Sequence, residues 1–157
     1  ETGGIALGTG KYALNLKALE NQKASAEVLS KKISDLRKAK NNHVAWEDIK
    51  NLLSEEMGFW SVLPITWEQE KKLRDEYEKS FVRNKVEFAE SMYAKTEPMA
   101  AKAKEVMDQI AMVGWTSGGH SAGYVPVFAI GAGSDLFIGK MDNTEIPKRI
   151  AKAGGYK

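Results

Sequence analysis

The sequence predicts an α/β fold, and three observations carry that prediction. Alternating apolar residues open the chain, apolar spacing near the helical period governs its middle, and glycine-rich loops around a short apolar run return after Gly114. The strand-rich ends fall at about residues 1–19 and 112–157, and residues 20–111 read as a mainly helical insertion between them.

Ile5 and Leu7, then Tyr12, Leu14 and Leu16, alternate around the turn-prone Gly8-Thr9-Gly10, which predicts two short strands at a sheet edge or corner. From Asn21 the period changes. Val28, Leu29, Ile33 and Leu36 share one helical face, and Asn41-Asn42 ends the run. Trp46, Ile49, Leu52, Leu53 and Met57 predict a second helix closed by Gly58, whose missing side chain permits a left-handed backbone. Beyond Pro64, Thr66 and Gln69 have the spacing of a capping box, and Leu73, Tyr77 and Phe81 continue one face of a third helix. A shorter helical piece is expected at residues 87–93. Thr96, Pro98, Ala100, Ala103, Met107 and Ile110 then predict a fourth helix with proline in its first turn. The run Tyr124-Val125-Pro126-Val127-Phe128-Ala129-Ile130 reads as a short buried strand, with Pro126 marking an edge or a strand start. Asp142-Asn143-Thr144 caps a last helix that carries Pro147 in its first turn and Gly154-Gly155 after its end.

Composition narrows the functions on offer. Apolar residues make up 43% and charged residues 28% of 157 residues, a globular balance that can bury a core. The 23 basic and 21 acidic residues are intermixed and sum to +2, so no electrostatic footprint for nucleic acid or an anionic membrane is expected. The apolar runs are too short to span a bilayer. With no cysteine, disulfide frameworks, thiolate zinc sites and cysteine nucleophiles are excluded. Glu1-Thr2-Gly3-Gly4-Ile5 enters a strand without an initiator methionine, and the chain is expected to be cut from something longer.

Two glycine motifs fail as phosphate cradles. Tyr12 follows Gly10-Lys11 where a metal-binding Ser or Thr belongs, and Leu136 takes the third glycine position after Gly131-Ala132-Gly133. Both read as structural turns. A catalytic zinc site commonly needs three protein ligands, yet the chain has two histidines. His43, in the polar break Asn41-Asn42-His43, reads as a solvated loop residue. His120 lies in the flexible loop Ser117-Gly118-Gly119-His120-Ser121-Ala122-Gly123 before the apolar run, where a rigid scaffold can present an accessible side chain; a plain loop histidine is the competing reading. Ser117 or Ser121 beside His120 suggests a nucleophile and base, but no orienting acid is identifiable. Trp46, Trp60, Trp67 and Tyr77 read as helix-packing residues, and Lys31, Lys32, Lys38 and Lys40 as a solvated face.

Three stretches together carry a resemblance: Trp115-Thr116-Ser117-Gly118-Gly119-His120-Ser121, Val125-Pro126-Val127-Phe128-Ala129, and Asp142-Asn143-Thr144-Glu145-Ile146-Pro147. They resemble the end of bacterial alkaline phosphatases. Glu1-Thr2-Gly3-Gly4 is similar to the residues that follow that family's Asp-His metal-ligand pair, and with Asn21-Gln22-Lys23-Ala24-Ser25 between, the likeness covers essentially the whole chain. The resemblance implies the C-terminal part of an α/β/α sandwich with a helical insertion. It also implies hydrolysis of phosphate monoesters through a phosphoserine intermediate, with two zinc ions and one magnesium ion. In such two-metal chemistry the cations lower the nucleophile's pKa, stabilise the leaving oxygen and neutralise phosphoryl charge.

On this resemblance His120 is the family's last zinc ligand, and Ser121 replaces the usual threonine after it. The nucleophilic serine, the phosphate-binding arginine and most other ligands are expected upstream of Glu1, in a missing N-terminal part of the same polypeptide. The chain alone is therefore expected to be inactive and to bind metal weakly or not at all. A homodimer and a periplasmic or extracellular location are implied for the parent. Two other readings stand beside this one: a helical protein-interaction module without a catalytic role, and a small free-standing hydrolase using Ser117 and His120.

Overall fold

The computed structural model describes residues 4–8, 13–90, 95–115 and 123–156. It divides into two compact units, whose described parts are residues 4–115 and 123–156. The first begins with strand β1 (Ile5–Leu7) and a 3-10 turn (Leu16–Asn21). Three helices follow, α1 (Ala26–Ala39), α2 (Trp46–Met57) and α3 (Trp67–Tyr77), the last running into a π-helical turn at Glu78–Val82. Short strands β2 (Ala89–Glu90) and β3 (Lys95–Thr96) lead to helix α4 (Pro98–Ala111) and strand β4 (Val113–Trp115).

The helix boundaries follow from local chemistry. The Ser25 hydroxyl accepts the Val28 N–H at 3.2 Å and starts α1, satisfying a donor that the first turn leaves orphaned. Gly58 closes α2 at φ +70°, and a β-carbon there would lie 2.9 Å from the Asn21 side chain, so both backbone and space require glycine. At α3 the box is reciprocal: Thr66 Oγ1 accepts from Gln69 N at 3.3 Å, and Gln69 Oε1 accepts from Thr66 N at 3.0 Å.

Helix α4 occupies the centre, packed against α1, α3, the 3-10 turn and more lightly α2. It buries Met99, Ala100, Ala103, Val106, Met107 and Ala111, and its alanines let the neighbouring helices approach closely. Leu29 and Ile33 of α1, Ile49, Leu53 and Met57 of α2, and Leu73 of α3 complete the core. Each such large apolar side chain contributes about 1.5–3 kcal/mol by leaving water. At one edge Trp46 meets Trp60 and Tyr77 edge-on at 6.1 and 5.5 Å, and the Tyr77 hydroxyl donates to the Val44 carbonyl at 2.9 Å.

One polar cluster is embedded in this core. Glu97, whose side chain is 1% exposed, caps α4 through Oε2, which accepts from Met99 N at 2.7 Å and Ala100 N at 3.2 Å. Its Oε1 accepts from Arg37 Nη2 of α1 at 2.8 Å. Arg37 Nη1 donates to the Ser80 carbonyl at 3.2 Å, and the guanidinium lies 3.6 Å from the Phe81 ring centroid. The Glu97 N–H donates to Ser30 Oγ at 3.0 Å, and that hydroxyl donates to the Ala26 carbonyl at 2.7 Å.

Three sequence expectations are corrected here. Leu16 opens a 3-10 turn instead of closing a second strand, and β1 pairs with the distant β4, antiparallel; Tyr12 lies outside the described residues. Residues 87 and 88 are irregular and Ala89–Glu90 is strand paired to Lys95–Thr96, so the helical piece expected at 87–93 is absent among its described residues. Helix α4 starts at Pro98 and not at Thr96, where the expected run began, because the Glu97 side chain caps it, accepting from Met99 N and Ala100 N while its second oxygen meets Arg37.

In the unit at residues 123–156, Gly131 (φ +109°) and Gly133 (φ +81°) turn the chain into a 3-10 segment (Ser134–Phe137), followed by helix α5 (Glu145–Ala153). A β-carbon on Gly133 would meet Ala153 at 2.8 Å, which explains glycine where the turn lies on α5. Asp142 Oδ1 accepts from Thr144 N at 2.9 Å and Thr144 Oγ1 at 2.7 Å, and the Arg149 guanidinium donates to the Leu136 carbonyl. The expected buried strand at 124–130 is overturned. These residues are irregular and exposed, Phe128 to 87%, because no strand among the described residues pairs with their backbone and Pro126 has no N–H to offer one.

No described residue of 123–156 is buried, whereas the core lies wholly within 4–115. Limited proteolysis should therefore cut first within 123–130 and leave a protected helical product, as read by mass spectrometry of the fragments. Glu97→Ala removes a cap and strands a buried guanidinium, so urea unfolding should show a loss of about 3–5 kcal/mol. The double variant Arg37→Met, Glu97→Leu should recover only the part of that loss due to the stranded guanidinium, since the cap on Met99 N and Ala100 N stays lost.

Candidate functional site

His120 lies outside the described residues, as do Ser117 and Ser121. The strand that leads to their loop is described. β4 is held in antiparallel register with β1 by the pairs Ile5 with Trp115, Ala6 with Gly114 and Leu7 with Val113. Met112 turns the chain from α4 into β4 with φ +57°, a left-handed conformation that costs a non-glycine residue about 1–2 kcal/mol. Hydrogen bonds offset that strain: Gly8 N donates to the Met112 carbonyl at 2.7 Å, and Asn15 donates through N to Ala111 O at 3.1 Å and through Nδ2 to Ile110 O at 3.3 Å.

Trp115, the last described residue before the loop, is half-exposed. Lys104 Nζ of α4 lies 5.1 Å from its ring centroid and also pairs with Asp108 at 2.7 Å. A groove of about 330 Å³ opens beside it, lined among others by Lys104, Glu105, Asp108, Gln109 and Val113. Its charges are matched within the unit. Glu105 accepts from Lys102 at 2.5 Å and Lys72 at 3.1 Å, and these hydrogen bonds, Lys102's first, hold its carboxyl below the usual carboxylate range against partial burial.

A second groove of about 550 Å³ runs between α1 and α2 over Leu36, Ala39 and Leu52. Three of the carboxylates lining it are engaged: Glu56 with Lys32 at 2.5 Å, Asp48 with Lys40 at 3.1 Å and Asp35 with Lys31 at 2.6 Å. A site lined by paired carboxylates is poorly suited to a phosphate dianion. His43 is exposed, its Nδ1 2.9 Å from the Asn41 carbonyl, which agrees with a solvated loop residue. Among the described residues no group of three or more His, Cys, Asp or Glu side chains could hold a metal ion. The described residues therefore do not fit a zinc or magnesium site by themselves, and no chemical step is assigned to them.

The sequence profile of the alkaline phosphatase family matches residues 2–156, nearly the whole chain. The chain belongs to the alkaline phosphatase family. It is also 45% identical over 67 residues to alkaline phosphatase 3 of Bacillus subtilis (strain 168), a stretch covering 36% of this chain and 14% of that protein. No solved structure matches.

For this alkaline phosphatase family member, the three stretches that carried the resemblance differ in what the structure describes. Trp115 ends β4, residues 125–129 are exposed and irregular, and Asp142 with Thr144 forms a hydrogen-bonded turn before α5, whose N-cap Thr144 makes no side-chain capping bond, so the expected cap is corrected to a turn. The Asn15 amide that ties down the end of α4 had no signature in the sequence, since a single asparagine in a loop gives no period to read. The low pKa of Glu105 has a measurable consequence. A depressed folded-state carboxyl contributes stability above its unfolded pKa, about 4.3, and loses it as pH falls through the folded value. Melting temperature against pH should thus show Glu105→Gln below wild type near neutrality, with the two curves converging in acid.

Proposed function

We propose that this chain is part of a zinc- and magnesium-dependent phosphate monoesterase that works through a phosphoserine intermediate, and that His120 is its contribution to one zinc ion. The observation that carries this reading is the family match across residues 2–156, joined to the name of the relative, an alkaline phosphatase. On the same reading residues 1–19 and 112–157 belong to an α/β/α sandwich, and residues 20–111 are a helical insertion. The pairing of β1 with β4 supports that division, because an insertion must enter and leave its host at neighbouring points.

The chain's own part is modest in chemistry. A neutral imidazole can bind zinc through one nitrogen while the other is fixed by a hydrogen bond, and the residues that lead to His120 follow a strand paired with β1. With two histidines and no cysteine in the sequence, the remaining ligands, the nucleophile and the phosphate-binding group are assigned to other parts of the enzyme. Homodimer formation and export belong to this proposal as properties of the enzyme, carried by family likeness alone.

The purified chain, shown to be folded by circular dichroism, should not hydrolyse a chromogenic phosphate monoester in saturating zinc and magnesium. In the native polypeptide that carries this sequence, His120→Ala should reduce both bound zinc and kcat by at least tenfold, the scale of one lost coordinating residue. Metal-dependent turnover by the chain alone, abolished by His120→Ala, would mean a complete site within 157 residues and overturn the division of labour.

A further inference from the structure

We draw no further inference here: the strongest candidate, the exposed apolar run at residues 124–130 with the grooves that flank it in the 123–156 unit, carries nothing because nothing in the structure shows what covers it.

Discussion

The helical unit depends on one buried contact, the Glu97 carboxylate held between the first turn of α4 and the Arg37 guanidinium. A carboxylate taken out of water is costly unless every lone pair is used. Here one oxygen accepts two backbone N–H groups at a helix start, where the dipole favours negative charge, and the other accepts from a cation. Arg37 in turn lies over Phe81 and donates to the Ser80 carbonyl, so one pair ties α1, the π-helical turn and α4 together. The π-helical turn presents that carbonyl and that ring to the same guanidinium. Desolvation offsets much of the attraction in such a pair, so removing one partner costs more than the intact pair adds.

What α4 fixes at its start it transmits to its end. The helix is the most completely buried element of the unit, and its last carbonyls are claimed by Asn15 while Met112 redirects the chain into β4. Trp115, at the end of β4, is thereby tied to the core through a helix and a paired strand. The two carboxylates nearest Trp115 are each paired with lysine, Asp108 with Lys104 and Glu105 with Lys102 and Lys72.

The helical body was legible in the sequence because its signals are local. Gly58 and the Thr66 with Gln69 pair act within a few residues of themselves, and periodicity identified the faces that carry Leu29, Ile33, Ile49, Leu53 and Met107, whereas the Ser25 cap was not read. The errors have a common physical origin, since a strand is defined by a partner that its own residues do not name. Ile5 and Leu7 pair with β4, beyond four helices, and not with Leu14 or Leu16 next to them. The run at 124–130 has strand composition without a described partner, and exposed backbone follows. Arg37 and Glu97 stand 60 residues apart, and nothing in either neighbourhood announces the other. His120 was found by motif likeness, not by periodicity or charge, and its placement lies outside the described residues.

The antiparallel pairing of β1 with β4 gives the helical body an architectural independence. Its entry and exit strands run side by side, about 4.8 Å apart in any such ladder, whatever lies between them. Loop closure grows only as the logarithm of length, so doubling the intervening chain costs about 0.6 kcal/mol. The ladder thus brings the two ends of the helical body side by side, so that the four helices leave and return at one place in the chain's path.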